Sequence, residues 1–183
     1  MGDTASRAEL PADYLWDTRP TVKDCSSFVQ RHPEHNNLNI DVEKLAQSYG
    51  VEACVLTLHC HGSFIFYASY GLVASVTPPP PGTAAQFHFQ FFHHHISRDL
   101  PIIICDTTDS FVKEKDLVTG EQHVRFYAAA PLIHNTGTYY GTLCILDSWP
   151  RNTFSLKECE PLQQKAEEVV ELLREAESST GKQ

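Results

Sequence analysis

The stretch F-H-F-Q-F-F-H-H-H-I, residues 87–96, places four histidines and four phenylalanines in ten positions. Those residue types support two chemistries, metal ligation through imidazole nitrogens and stacking of a flat ligand on aromatic rings. Spacing argues against a metal held on one helix face, where ligating histidines stand three or four residues apart as in H-E-x-x-H. His88, His93, His94 and His95 contain no such pair. In an extended segment His93 and His95 share a face, as do His59 and His61, so a site assembled from both segments stays open on geometry. No Asp or Glu adjoins these histidines, and partly exposed polar faces account for them without a metal. For His94 the simple reading is a ring satisfied by backbone or water, and the functional reading is a donor lining a pocket. Phe87 and Phe91 stand four apart, as do Phe89 and His93, so a helical segment would turn one aromatic stripe toward the core.

Arg125 opens the otherwise apolar run R-F-Y-A-A-A-P-L and needs a counter-charge or solvent. Asp106 and Asp147, at the ends of neighbouring apolar runs, are its expected ion-pair partners. The six cysteines show no C-x-x-C spacing, and four sit in apolar runs as small core residues do, which predicts reduced thiols and no zinc. No G-x-S-x-G, glycine-rich phosphate loop or H-E-x-x-H is present. The opening M-G-D-T-A-S fits the loose myristoylation pattern, but Asp3 beside the acceptor glycine makes a chance match the better reading.

The elements that must position these residues follow from patterning. With 183 residues, 42% hydrophobic and 20% charged, the chain has the composition of one globular domain. Fourteen basic against 23 acidic residues give a net charge of -9, which disfavours a nucleic-acid or anionic-membrane surface. No run approaches the roughly 18 apolar residues of a membrane span, and the N-terminus is too polar for a signal peptide, so a soluble cytoplasmic protein is expected. Residues 1–40, with scattered prolines and charges, read as an extended lead-in. N-I-D-V-E-K-L-A-Q-S-Y-G predicts a short amphipathic helix with Asn39 or Asp41 as N-cap and Gly50 as stop. The next run alternates, with Cys54, Leu56, Leu58 and Cys60 on one side and Val55, Thr57, His59 and His61 on the other, and a turn at Gly62-Ser63 leads into F-I-F-Y-A-S-Y-G as a hairpin.

Four consecutive prolines, Pro78 to Pro81, end that hairpin. P-I-I-I-C-D, V-R-F-Y-A-A-A-P-L-I and Y-Y-G-T-L-C-I-L-D follow as three short apolar strands, and consecutive short strands predict an antiparallel sheet. Ser155 and Glu158 form a capping box for a last helix, whose seam of Cys159, Leu162, Ala166, Val169, Leu173 and Ala176 can face the core or a second copy. Pro161 predicts a kink or a later start. Residues 178–183 read as a tail.

Pro101, Asp106, Arg125, Phe126, Tyr127, Pro131, Leu132, Gly137, Gly141, Leu143, Cys144, Asp147, Pro150 and Arg151, taken in order, closely resemble the second half of a GAF domain, the small-molecule-sensing module of many signalling proteins. The first half fits more loosely. Where many GAF domains carry Ser-Phe-Cys-x-His-x-Ile, this chain has Q-F-F-H-H-H-I, with Phe91, His94 and Ile96 on matching positions and Phe92 in place of the cysteine. The resemblance spans residues 41–177. It implies an α+β fold, an antiparallel sheet of about six strands with terminal helices on one face and a ligand pocket on the other.

Three chemistries known on that fold lack their residues here. The Asn-Lys…Phe…Asp-Glu set of cyclic-nucleotide binders is missing, the only Cys-His is Cys60-His61 and lies well before the bilin attachment position, and neither Cys105 nor Cys144 matches the catalytic arrangement of free-methionine-sulfoxide reductases. The expected function is a non-catalytic sensory or regulatory module that binds an unidentified small molecule non-covalently, with Phe89, Phe92, His94, Asp106, Arg125 and Tyr127 as ligand-binding candidates and a homodimer formed through the last helix. The alternatives are a ligand-free dimerisation or docking module and a cysteine-dependent reductase of the free-methionine-sulfoxide type.

Overall fold

The computed structural model describes residues 21–33, 35–72, 101–110, 112–114 and 116–178. The 87–96 segment, the proline run and the first twenty residues lie outside the described residues, and with them Phe89, Phe92 and His94. In chain order the elements are β1 (Thr21–Val22), α1 (Ser26–Arg31), α2 (Asn36–Tyr49), β2 (Ala53–Cys60), β3 (Ser63–Tyr70), β4 (Ile102–Ile104), a 3-10 turn (Thr107–Asp109), α3 (Asp116–Thr119), β5 (Phe126–Ile133), β6 (Thr138–Asp147) and α4 (Leu156–Ser178).

The six strands make one sheet in the order β3-β2-β6-β5-β4, antiparallel throughout, with β1 added in parallel at the start of β6. Thus the stretch read as a lead-in supplies both β1 and α1, and α2 begins at Asn36 behind His35 rather than at Asn39 or Asp41. Gly50 ends α2 as expected.

Strand periodicity sorts side chains between two buried faces. Cys54, Leu56, Leu58, Phe126, Ala128, Ala130, Leu143 and Ile145 pack under α2 and α4. The alternate set, including Ala53, Val55, Tyr127, Ala129, Cys144 and Leu146, forms a second core on the opposite face. Each Leu or Ile buried in this way contributes roughly 1.5–3 kcal/mol. The α4 seam of Cys159, Leu162, Ala166, Val169 and Leu173 is spent on its own sheet, so it is not left over for a second copy.

Close approaches fix the register. A β-carbon on Gly141 would stand 2.0 Å from the Thr57 carbonyl oxygen, so only glycine lets β6 lie against β2 there. The β2–β3 turn falls at His61-Gly62, one residue before the predicted position, and both residues have positive φ, 49° and 78°. That is the backbone a two-residue hairpin requires, and glycine supplies it without strain. Asp24 supports the strained His61 by accepting its N–H at 2.9 Å, and it also accepts the Ser26 N–H at 2.7 Å.

The two long helices meet at a polar joint. Pro161 lies inside α4 and the helix continues through it. The Tyr49 hydroxyl donates to the Glu158 carbonyl at 2.9 Å and accepts the Leu162 N–H at 3.1 Å, bridging the two groups that an unbroken helix would pair with each other. Arg151 donates to the carbonyls of Tyr49 at 2.8 Å and Gly50 at 3.3 Å, capping the end of α2, while its guanidinium lies 4.9 Å from the Phe126 ring centre. Ser155 and Glu158 form the expected capping box: the Glu158 carboxylate accepts the Ser155 N–H at 2.7 Å, and the Ser155 hydroxyl accepts the Glu158 N–H at 3.4 Å.

Two outcomes follow. Tyr49→Phe, which removes both bridging bonds and leaves the Leu162 N–H without its acceptor, lowers unfolding free energy by about 1–2 kcal/mol in urea titration; an unchanged midpoint would show that the bridge carries no stability. Hydrogen bonds from Ser26, with a further one from His61, hold the Asp24 carboxyl down at about 2 against an ordinary 3.8. Its contribution is therefore complete above the ordinary value and disappears as pH falls from 3.8 to about 2. The melting-temperature gap between wild type and Asp24→Asn stays open at neutral pH and closes across that window; a gap independent of pH would contradict the assignment.

Candidate functional site

On the face of the sheet away from α2 and α4, an otherwise apolar surface carries a small set of buried polar groups. Thr57 and Thr142 are 0% and 1% exposed. Alternation places them there, Thr57 between Leu56 and Leu58 on β2, and Thr142 two residues before Cys144 on β6. Tyr139 joins them because the β5–β6 register slips between Leu132 and Ile133, which turns Tyr139 and Thr142 to the same side although they stand three apart.

The Tyr139 hydroxyl and Thr142 Oγ1 are 2.7 Å apart, and Thr57 Oγ1 donates to the Thr142 carbonyl at 3.4 Å. Beside them lie the fully buried Tyr127 hydroxyl and the Cys144 thiol, close enough to act on each other electrostatically. Phe64 extends the aromatic surface, 5.7 Å from the Tyr139 ring and 5.4 Å from the His59 ring, both edge-on.

Burial pushes the Tyr127, Tyr139 and Cys144 side chains well above their ordinary ranges, so all three stay neutral at physiological pH. The face therefore offers neutral hydrogen-bonding groups and aromatic surface, and no thiolate nucleophile. Among the described residues no cluster of three metal-ligating side chains occurs.

Of the candidates read from the sequence, Tyr127 stands on this face, fully buried. Asp106 and Arg125 stand together at the entry to β5. Asp106 caps the 3-10 turn, accepting the Thr108 hydroxyl at 2.6 Å and its N–H at 2.9 Å, and these bonds hold its carboxyl below the usual range. Arg125 does not form the expected ion pair with Asp106 or Asp147. Its guanidinium donates to the carbonyls of Val118 at 3.0 Å and Val124 at 3.1 Å, closing the loop that carries α3, and Asp147 faces Arg151 at 3.7 Å instead. Two carbonyl oxygens take up the Nη1 donors, so the group is anchored without a carboxylate at ion-pair distance.

Sequence reading missed Thr57, Tyr139 and Thr142 as a group. The strand alternation carried the signal for both threonines, whereas the register slip that brings Tyr139 across has no signature in a single sequence. A groove of about 960 Å³ between the β5–β6 turn and α4 lies elsewhere. It is open and edged by Glu167, Glu168, Glu171 and Glu175, two of which are already paired, Glu168 with Lys165 and Glu171 with Arg174, so it has the character of a solvated helix face.

A family model of the GAF domain matches residues 37–172. No curated protein sequence matches the chain. Among solved structures it is similar to the GAF domain of a phosphoenolpyruvate-protein phosphotransferase from Coxiella burnetii, at 18% identity over 85% of this chain and 91% of that one, with a TM-score of 0.61. It is also similar to a red/green cyanobacteriochrome in its red-light-absorbing state, at 13% identity over 78% and 95%, TM-score 0.62. A third is a far-red-absorbing dark state with bound biliverdin IXα, at 11% identity over 74% and 86%, TM-score 0.58. At these identities the likeness is one of fold, and the six-stranded antiparallel sheet with its helices is the α+β arrangement the family shares. With the family model spanning most of its length, this chain belongs to the GAF domain family.

Proposed function

We propose that the chain is a non-catalytic sensory or regulatory module that takes a small molecule non-covalently on the sheet face bearing Thr57, Tyr127, Tyr139 and Thr142. The observation that carries this reading is the buried polar set itself. Hydroxyls in an apolar core lose their water and recover only part of that cost through their own hydrogen bonds, so a face built for packing alone would be better served by valine and phenylalanine replacing the whole set together, although removing one partner of a bonded pair is costly. Support also comes from the biliverdin-bound structure of similar fold, which holds a flat, extended molecule. The proposed ligand here is held without a covalent bond, because Cys60-His61 lies at the β2–β3 turn and Cys60 faces the helix-side core. Phe89, Phe92 and His94 remain candidates from the sequence for the same ligand, with Asp106 and Arg125 shaping the loop at its edge.

The reductase alternative asks for a thiol poised as thiolate, and burial raises the thiols of Cys25, Cys54, Cys60, Cys144 and Cys159 away from that state. The ligand-free docking alternative draws on the full burial of Tyr127 and Tyr139, which fill part of the face with side chains. In that case a homodimer through α4 would have to use the helix's outer, acidic side.

A thermal-shift screen of flat heteroaromatic compounds, followed by calorimetric titration of the hits, separates these readings. The proposal expects saturable binding that Thr142→Val and Tyr127→Phe each weaken at least tenfold, about 1.4 kcal/mol. Thr142→Val itself costs about 1–2 kcal/mol of unfolding free energy in urea, leaving a folded protein to titrate. Chemical turnover of the bound compound, or affinities untouched by both substitutions, would overturn the reading.

A further inference from the structure

Cys25 and Cys60 stand far apart in sequence and side by side in the fold. The chain after β1 runs into the gap where the end of β2 parts from the start of β6: Thr21 N–H donates to the Gly137 carbonyl at 3.0 Å, Lys23 N–H to Tyr139 at 2.8 Å and Cys25 N–H to His59 at 2.8 Å. The carbonyl that Cys25 takes belongs to the residue immediately before Cys60. Because the His59 carbonyl carbon is bonded to the Cys60 nitrogen, this bond brings the two α-carbons to within roughly 7 Å, a separation that overlaps the roughly 4.4–6.8 Å window that a disulfide spans. Both side chains turn into the same helix-side core, and the Cys60 sulfur lies within reach of the Cys25 N–H.

The other described thiols have different surroundings. Cys54 and Cys144, on adjacent strands, point to opposite faces of the sheet, and Cys159 sits on α4. Cys105 is half-buried.

A cleft opens on Cys60 from one side. It measures about 310 Å³, lies between α1 and the β2–β3 turn and is lined by Ser26, Val29, Gln30, His61 and Ile65, with Cys60 in its wall. Cys25 is not part of that wall, which sets the order of events: the first encounter is with Cys60.

We propose that Cys25 and Cys60 are a dithiol–disulfide pair, oxidised in the folded protein by low-molecular-weight disulfides such as glutathione disulfide. The Cys60 thiolate attacks one sulfur of glutathione disulfide, forming a mixed disulfide and expelling one glutathione thiolate. The Cys25 thiolate then attacks Cys60 Sγ, the mixed disulfide breaks, and the second glutathione thiolate leaves. The two protons given up by the cysteines go to the two departing thiolates, so the protein loses two electrons and two protons and the oxidant gains them. The bond ties the β1–α1 strap to the end of β2. That strap also carries Lys23, 3.4 Å from Glu177, and Arg31, 3.3 Å from the Ala176 carbonyl, so oxidation fixes the surface on which the last turn of α4 rests.

Burial raises the Cys60 thiol to about 12, which makes thiolate formation the slow requirement and gives the reaction a pH signature. The full chain, carrying Cys105→Ser to remove the half-buried thiol, is incubated natively with glutathione disulfide, quenched by alkylation, and read by intact mass and peptide mapping. The expected product has lost two hydrogens and yields a linked Cys25–Cys60 peptide, with a rate rising about tenfold per pH unit between neutral and mildly alkaline pH. Cys25→Ser retains one glutathione on Cys60, and Cys60→Ser takes up none. A stable glutathione adduct on Cys60 in the parent, a link to any other cysteine, or reduced thiols until the protein unfolds would each overturn the proposal.

Discussion

The constraint on which the rest of this structure depends is that its central strands are buried on both faces. A sheet covered on one side can sort residues simply, apolar inward and polar outward. Here β2, β5 and β6 must supply two different interiors from one sequence, and the period of two in a strand assigns every alternate residue to one or the other. Leu56, Leu58, Leu143 and Ile145 on one side, and Val55, Tyr127, Cys144 and Leu146 on the other, leave no position on these strands free to drift. A slip of one residue would exchange the two sets, placing Thr57 and Thr142 beneath α4 and its seam. Gly141, admitted only because it has no side chain, pins β6 to β2 in the one register that avoids this.

The helices depend on the sheet in a different way. α4 buries a continuous apolar seam, yet Pro161 interrupts its backbone ladder near the start, and the adjoining Glu158 carbonyl and Leu162 N–H are bridged by a residue from another helix. Tyr49 and Arg151 link the end of α2 to the beginning of α4 through hydrogen bonds that each satisfy a backbone group left over by a helix end or a proline. Polar closure and apolar burial thus fall on separate parts of the same helix, the first at its beginning and the second along its length.

Much of the architecture was legible in the sequence because it rests on local rules. The alternation through Cys54–Cys60, the capping box at Ser155 and the stop at Gly50 each need only neighbouring residues to be recognised. What stayed hidden depends on distant partners. Nothing near Thr21 announces that it will pair with β6, since two residues carry no periodicity, and the placing of α2 four or more residues earlier than its cap candidates reflects burial of Leu38 in the core. Arg125 illustrates the same limit: a cation at a strand entry demands acceptors, but the sequence does not tell a carboxylate from a pair of loop carbonyls. For the candidate site, Tyr127 came from the family pattern, while Thr57 and Thr142 acquire meaning only when the register sets them beside Tyr139.

The buried hydroxyl-bearing face is the feature that packing alone does not call for, and ligand occupancy is the account's central claim. Native mass spectrometry of the purified chain, before and after incubation with a small-molecule extract of cells, compared with its mass after denaturation, addresses that claim most directly. The account predicts a discrete added mass in the native state that is lost on denaturation. A bare chain under both native conditions, or an added mass that survives denaturation, would contradict it.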